Sequence, residues 1–173
     1  KLFSERMCNH FYEDYGLDVK VARYHNVYGP CGTYDGGREK APAALARKVI
    51  TAKKNNADEI EVWGDGNQKR SFLYIDDCID ASINLFKSSI HGPLNIGSEE
   101  LVSINDMIGI LENISEKKFK KKYLLDKPKG VKGRNSDNSL IKKELNWEPK
   151  YSLKEGLKKT YLWIERQIRE NAK

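Results

Sequence analysis

Cysteine is scarce in this 173-residue sequence, as are methionine, proline and any long apolar run. Its three cysteines, Cys8, Cys31 and Cys78, lie far apart, which gives neither a disulfide framework nor a metal-ligand spacing. A reducing compartment, and hence a cytoplasmic protein, is the simplest reading. His10, His25 and His91 are equally scattered, so no metal site is expected. No stretch is apolar enough to span a bilayer and no signal-peptide pattern occurs, so no membrane partner is expected. Internal repeats, low-complexity segments and the G-x-x-G-x-x-G dinucleotide fingerprint are also missing.

What is present is a soluble globular composition, 39% hydrophobic and 32% charged. Lys and Arg number 31 against 25 Asp and Glu, a net charge of +6. That excess suits an anionic ligand, but most of it reads as solvated surface. The densest run, Lys117, Lys118, Lys120, Lys121 and Lys122, reads as a helix end followed by an exposed strand edge, where lysine discourages pairing. No extended aromatic-interleaved basic stripe or recognised nucleic-acid motif accompanies it, so no nucleic-acid partner is expected. The chain opens at Lys1 directly in helix-like sequence and is read as a fragment of a longer protein.

Periodicity predicts a mixed α/β chain. Phe3, Met7, Phe11 and Tyr15 mark one helix face, stopped at Gly16, and Asp18 to His25 reads as a strand. Asn26 to Lys40, with Gly29, Pro30, Gly32, Gly36 and Gly37, is a loop longer than connections usually are, which hints at function. A helix is expected over Ala41 to Lys54, with Pro42 in its first turn. Strands are expected at Ile60 to Trp63, Arg70 to Ile75, Leu94 to Ile96 and Phe119 to Leu125. A further helix is expected to open at Asp76 or Asp77. Ser103 with Asp106, and Ser152 with Glu155, are spaced as capping boxes at two helix starts. Asp126 to Arg134 reads as a loop and Asp137 to Leu145 as a short helix.

Several segments then line up in order. Arg23-Tyr24-His25-Asn26-Val27-Tyr28-Gly29-Pro30, Val62-Trp63-Gly64-Asp65-Gly66 with Arg70-Ser71-Phe72, Leu94-Asn95-Ile96-Gly97, and Leu145-Asn146-Trp147-Glu148-Pro149 before Gly156-Leu157 are the marks in question. They resemble the extended short-chain dehydrogenases/reductases that act on nucleotide sugars, with Asn146 where a glycine is usual. Within that superfamily, Gly36-Gly37-Arg38-Glu39-Lys40-Ala41-Pro42 and Gly133-Arg134-Asn135-Ser136-Asp137-Asn138 are similar to the GDP-mannose 3,5-epimerases. The resemblance implies an α/β fold: the C-terminal substrate-binding part of such an enzyme, with the last Rossmann helix and strand at its N-terminus. Residues 1–27 would be the tail end of the NAD-binding domain, and residues 28–173 the substrate-binding domain.

The resemblance also implies a chemistry, with NAD as cofactor and a nucleotide-diphosphate sugar as substrate. The sugar C4 hydroxyl is oxidised to a ketone, its neighbours C3 and C5 exchange protons, and C4 is reduced again. Inverting a centre needs a proton acceptor and a donor on opposite faces of the ring. Lys40 matches the family's acid–base lysine, and Lys1 the lysine that holds the nicotinamide ribose; His25 would lie near the nicotinamide. The family's catalytic cysteine has no counterpart among Cys8, Cys31 and Cys78. Substrate contacts implied are Asn26, Glu39, Lys40, Ala41, Lys48, Gln68, Lys69, Arg70 and Arg134, with only a backbone contact carried over at Lys69. Arg70 and Arg134 suit a diphosphate because a guanidinium bonds its oxygens in pairs. Trp63 reads as packing rather than as a guanine stacker. A UDP- or dTDP-sugar epimerase, dehydratase or decarboxylase, or a binding module without turnover, are the alternatives. A homodimer is expected, because the first helix would expose Phe3, Met7 and Phe11 without its usual neighbours.

Overall fold

The computed structural model describes residues 1–127 and 132–171. The expected loop from Asp126 to Arg134 therefore lies partly outside the described residues. Six helices and nine short strands are interspersed along the described chain. Helix α1, Leu2–Tyr15, ends at Gly16 in the left-handed conformation (φ 66°) and buries none of its residues. Strand β1, Val21–Tyr24, pairs in parallel with β6, Pro93–Ile96. Strand β2, Val27–Tyr28, pairs in parallel with β5, Leu73–Tyr74. Strand β3, Glu59–Trp63, pairs in parallel with β8, Lys120–Leu124. The fourth sheet places β4, Lys69–Arg70, between β7, Val102–Ser103, and β9, Gly133–Arg134.

The long helices follow their local signals. Helix α2, Ala41–Lys54, carries proline in its first turn and an extended Lys40 as its N-cap. Both capping boxes form. Ser103 opens α4, Ile104–Ser115, and Ser152 opens α6, Leu153–Glu170; each serine takes a backbone N–H from the acid three residues on, which bonds back to the cap.

Three expectations need correction. The single strand from Arg70 to Ile75 is two, because its residues pair in different sheets: β4 ends at Arg70, β5 starts at Leu73, and Ile75 is already helical. Helix α3, Ile75–Lys87, is capped by Tyr74 rather than by Asp76 or Asp77. Asp77 is instead 1% exposed and accepts the backbone N–H groups of Lys150 (3.0 Å) and Tyr151 (3.1 Å), so its charge anchors a distant loop. Helix α5, Ser139–Leu145, starts later than predicted because Asp137 bonds the N–H and hydroxyl of Ser139 from outside it.

Two apolar clusters result. The larger packs α2 against α4 and α6, with β3 beneath. The smaller joins α3, β6 and α5 around Leu94, Ile96 and Trp147. Ile75 touches both, and the backbone of Gly29 presses so close that a Cβ there would stand 2.9 Å from Ile75 Cβ.

Gly156, in the first turns of α6, is a similar close approach. A Cβ would stand 2.8 Å from Tyr74 Cδ2, 2.9 Å from Tyr28 Cζ, and nearer still to the Tyr28 hydroxyl, which donates to the Leu153 carbonyl. Gly156→Ala is therefore expected to destabilise the chain by about 1–3 kcal/mol despite alanine's better helix propensity. Urea unfolding checks this; an unchanged or raised midpoint counts against the packing described.

Candidate active site

Four chain segments carry the expected site residues. The first is the turn after β1. His25 N–H bonds the Ile96 carbonyl (3.0 Å), and Asn26 turns with left-handed backbone (φ 42°). Asn26 accepts the Leu73 N–H at its carbonyl (3.2 Å) and donates its side-chain amide to the Ser71 carbonyl (3.0 Å). The second segment is β4 with β9. Their register sets Arg70 opposite Arg134, and Ser71 N–H bonds the Arg134 carbonyl (3.1 Å). Asn26 is thus tied to Ser71, which follows Arg70 and bonds Arg134. Two guanidinium-bearing residues lie on adjacent strands, spaced by the roughly 4.8 Å of a sheet.

The third segment is the loop into α2. Gly36 and Gly37 have φ of 88° and 82°, and a Cβ at either would meet nothing within 4 Å, so they supply left-handed backbone rather than close packing. Glu39 ends this loop with its side chain only 8% exposed. Its Oε1 accepts from Arg47 Nη2 (3.0 Å), whereas Oε2 is buried with no partner among the described residues. The fourth segment is the turn after β3, carrying Trp63 and Gln68. Gln68 donates to the Trp63 carbonyl (3.1 Å), and its Oε1 is likewise buried without a partner among the described residues.

Some of these residues line two clefts that share none of them; Asn26 and Arg70 line neither, and Arg70 Nη1 donates to the Lys69 carbonyl (2.6 Å). One, of about 460 Å³, has Gly37, Glu39, Ala41, Lys48, Trp63 and Gln68 in its walls. Trp63 is 52% exposed, so it is a wall of this cleft and not the packing residue expected from sequence. Lys48 Nζ sits 5.7 Å from the centre of its ring and donates to the Glu61 carbonyl (3.0 Å). Burial, aided by Arg47, pushes the Lys48 pKa down against the pull of Glu61. The other cleft, of about 630 Å³, is lined by Lys1, Cys8, His25 and Arg134, among others. Burial, then the charge of Arg134, lowers the His25 pKa and favours the neutral ring.

Of the expected site residues, Glu39, Ala41, Lys48 and Gln68 share the first cleft, while Lys1, His25 and Arg134 share the second. Lys40 lines neither; it is exposed at the N-cap of α2, between two residues that line the first, and has no ion-pair partner among the described residues. Lys69 is exposed and bonds the Lys132 carbonyl through its backbone N–H (2.9 Å). Asn26 is committed to the Ser71 carbonyl. Arg47 was not foreseen; it reaches back from α2 to Glu39, a pairing that no local spacing announces. Cys8, Cys31 and Cys78 are all free thiols. No cluster of three or more metal-ligating side chains occurs among the described residues. Nor is any described helix long and apolar enough to cross a membrane.

Parallel strand pairs alternating with helices place the chain among α/β folds, and the comparisons agree. Residues 1–97 match the family described as the NAD dependent epimerase/dehydratase family, and the chain belongs to it. It is 49% identical over its whole length to a GDP-mannose 3,5-epimerase of Arabidopsis thaliana, covering 45% of that protein. It is 38% identical to a UDP-glucuronate 4-epimerase of Thermodesulfobacterium geofontis, over 95% of this chain and 49% of that one. Among solved structures, the UDP-glucose 4-epimerase of Thermotoga maritima, crystallised with UDP-glucose, superposes with a TM-score of 0.86 at 28% identity. That match covers 97% of this chain and 52% of the other. The chain thus spans about half the length of the relatives it matches.

The Glu39 pKa is held below its ordinary 4.5 by hydrogen bonds from its own backbone and from Arg47 and Gly37, against the opposing effect of burial. Because the folded-state pKa is depressed, this stabilisation is present at neutral pH and is lost as pH falls through the lowered value. Acid titration followed by tryptophan emission is expected to show a step below pH 4.5 that Glu39→Gln lacks. The same step in both proteins refutes the assignment.

Proposed function

We propose that the full-length protein carrying this chain is an NAD-dependent nucleotide-sugar epimerase that inverts C3 and C5 of GDP-mannose through a 4-keto sugar. Residues 1–27 would be the tail end of its NAD-binding domain and residues 28–173 its substrate-binding domain. The observation that carries the substrate reading is the pairing of two buried acceptors with no partner among the described residues, Glu39 Oε2 and Gln68 Oε1, with an exposed Trp63 ring around one cleft. Such a cleft calls for a flat ligand that brings hydrogen-bond donors. Guanine has three N–H donors on one edge, and a hexose adds hydroxyls. The 49% identity to a GDP-mannose 3,5-epimerase points the same way.

The diphosphate is assigned to Arg70 and Arg134, with Lys48 and Asn26 at its margins. The residues fit one end of the cofactor: Lys1 and His25 line a single open cleft, and the neutral ring that burial favours can face a positively charged nicotinamide without repulsion. When bound, NAD supplies the reversible hydride acceptance that makes C4 a ketone. Lys1 would hold the ribose hydroxyls. Lys40 would give a proton to, or take one from, the carbon beside the ketone on one face of the ring. The partner group on the other face is not assigned to any residue here. The isolated chain would bind without turnover. A cytoplasmic homodimer is part of the same proposal, supported by the free thiols and by Phe3, Met7, Phe11 and Tyr15 exposed on α1.

Turnover of GDP-mannose in heavy water by the full-length protein tests the acid–base role. Lys40→Met is expected to lower epimerisation by about 10²–10⁴-fold and to stop deuterium entering at one of the two carbons. Wild-type rates in that variant remove Lys40 from the mechanism. Arg134→Ala is expected to raise KM about 10–100-fold, the loss of a charge-assisted bond to phosphate. An unchanged KM places the diphosphate elsewhere, and turnover of a UDP- or dTDP-sugar instead of GDP-mannose overturns the base assignment.

A further inference from the structure

We infer that Arg47 is a positioning residue that fixes the loop carrying Glu39 and Lys40; the inference rests on the acid–base reading of Lys40 given above. Arg47 stands on α2 and its guanidinium spans both ends of the glycine-bearing stretch 34–39 of the loop. Nε donates to the Tyr34 carbonyl (2.9 Å), where that stretch starts, and Nη2 donates to Glu39 Oε1 (3.0 Å), where it ends. Asp35 Oδ1 lies 3.6 Å from Nε. The start of that stretch is anchored again by α6 and its C-cap: the Tyr34 ring meets Trp163 edge-on, with centroids 5.5 Å apart, and its hydroxyl accepts from Asn171 (3.3 Å).

Between these two fixed points lie Gly36 and Gly37, the residue type with the greatest backbone freedom, both held at positive φ. Within the span, Asp35 Oδ1 accepts the Gly36 N–H (2.8 Å). Neighbouring Lys48 is engaged elsewhere, on the Glu61 carbonyl. The arginine fork is therefore the connection that closes the loop, and its planar geometry holds both bonds in fixed directions from two separate nitrogens, which a single rotating ammonium does not. The pairing also settles which cation Glu39 neutralises. Oε1 goes to Arg47, and Lys40, next in the chain, keeps an ammonium with no ion-pair partner among the described residues. A proton donor misplaced by about 1 Å loses roughly 10²-fold in rate, so a loop hinged on two glycines needs such a strut.

The test uses the full-length protein with Arg47→Ala and Arg47→Lys, followed by hydrogen exchange, thermal unfolding and kinetics with GDP-mannose. In Arg47→Ala, exchange across residues 34–41 is expected to rise at least about tenfold, while helix α6 keeps its protection and the melting temperature moves little. The kcat is expected to fall about tenfold or more with KM rising alongside, as hinge-holding residues behave. Added guanidinium should recover part of both losses, and Arg47→Lys should lie between the two proteins. Unchanged exchange in the loop, or a kcat equal to wild type, overturns the inference, as does a rise in exchange spread evenly over the chain. If the wild-type protein turns over no nucleotide sugar, the functional reading falls by itself, and the exchange of residues 34–41 still decides whether Arg47 holds them.

Discussion

Helix α2 is held on two sides, by α4 and by α6, and the site hangs from its free end. Contact is close because small residues face the neighbours: Ala46 and Val49 are fully buried, and Ala43 and Ala52 nearly so. Interiors packed this tightly transmit position, since no side chain has room to give. The first turn of α2 therefore enters the cleft at a fixed height, with Ala41 in the wall and Lys40 one residue before it. What α2 does not fix by itself is the loop ahead of it, and there the arginine fork replaces packing with directed hydrogen bonds.

The charges at the site are divided by function. Arg70 and Arg134 belong to adjacent strands, so their backbone separation is set by sheet hydrogen bonding and not by side-chain choice. Lys48 is bound to a carbonyl and lies against Trp63, and Arg47 is bound to Glu39. Lys48 and Arg47 thus spend their hydrogen bonds within the protein, whereas Arg70 gives one nitrogen to the Lys69 carbonyl and keeps the others for an incoming anion. The oxygens of Glu39 and Gln68 that have no partner among the described residues complement such cations, since a phosphorylated ligand with N–H or O–H groups would satisfy both signs at once.

Features encoded by residues close in sequence were legible before any coordinates. The extent of α2, the capping boxes at Ser103 and Ser152, and the glycine stop at Gly16 all follow from spacing within one or two turns. Features set by distant partners were not. Leu73 joins β5 because β2 lies beside it, and Asp77 is buried because two backbone N–H groups arrive from residues 150 and 151. Trp63 looks like a core residue by type, yet strand β3 alternates Glu59, Glu61 and Trp63 outward with Ile60 and Val62 inward, a period-two signal that was available in the sequence and outweighed by residue type. The expected site residues were singled out from motifs; their division between two clefts was not legible, because it depends on how the sheets are placed around α2.

The contact of Gly29 with Ile75 lies where the two apolar clusters meet. One cluster supports the walls that hold Glu39 and Gln68; the other supports the strands that lead to His25. The proposed chemistry needs a hydride and a proton exchanged at neighbouring carbons of one ring, so the two halves must keep a common alignment. A side chain wedged into that seam would have to push Ile75 and the two clusters apart, which costs stability and puts the oxidised carbon and the ammonium out of step. Catalysis would then fail through lost alignment as well as through a weakened fold.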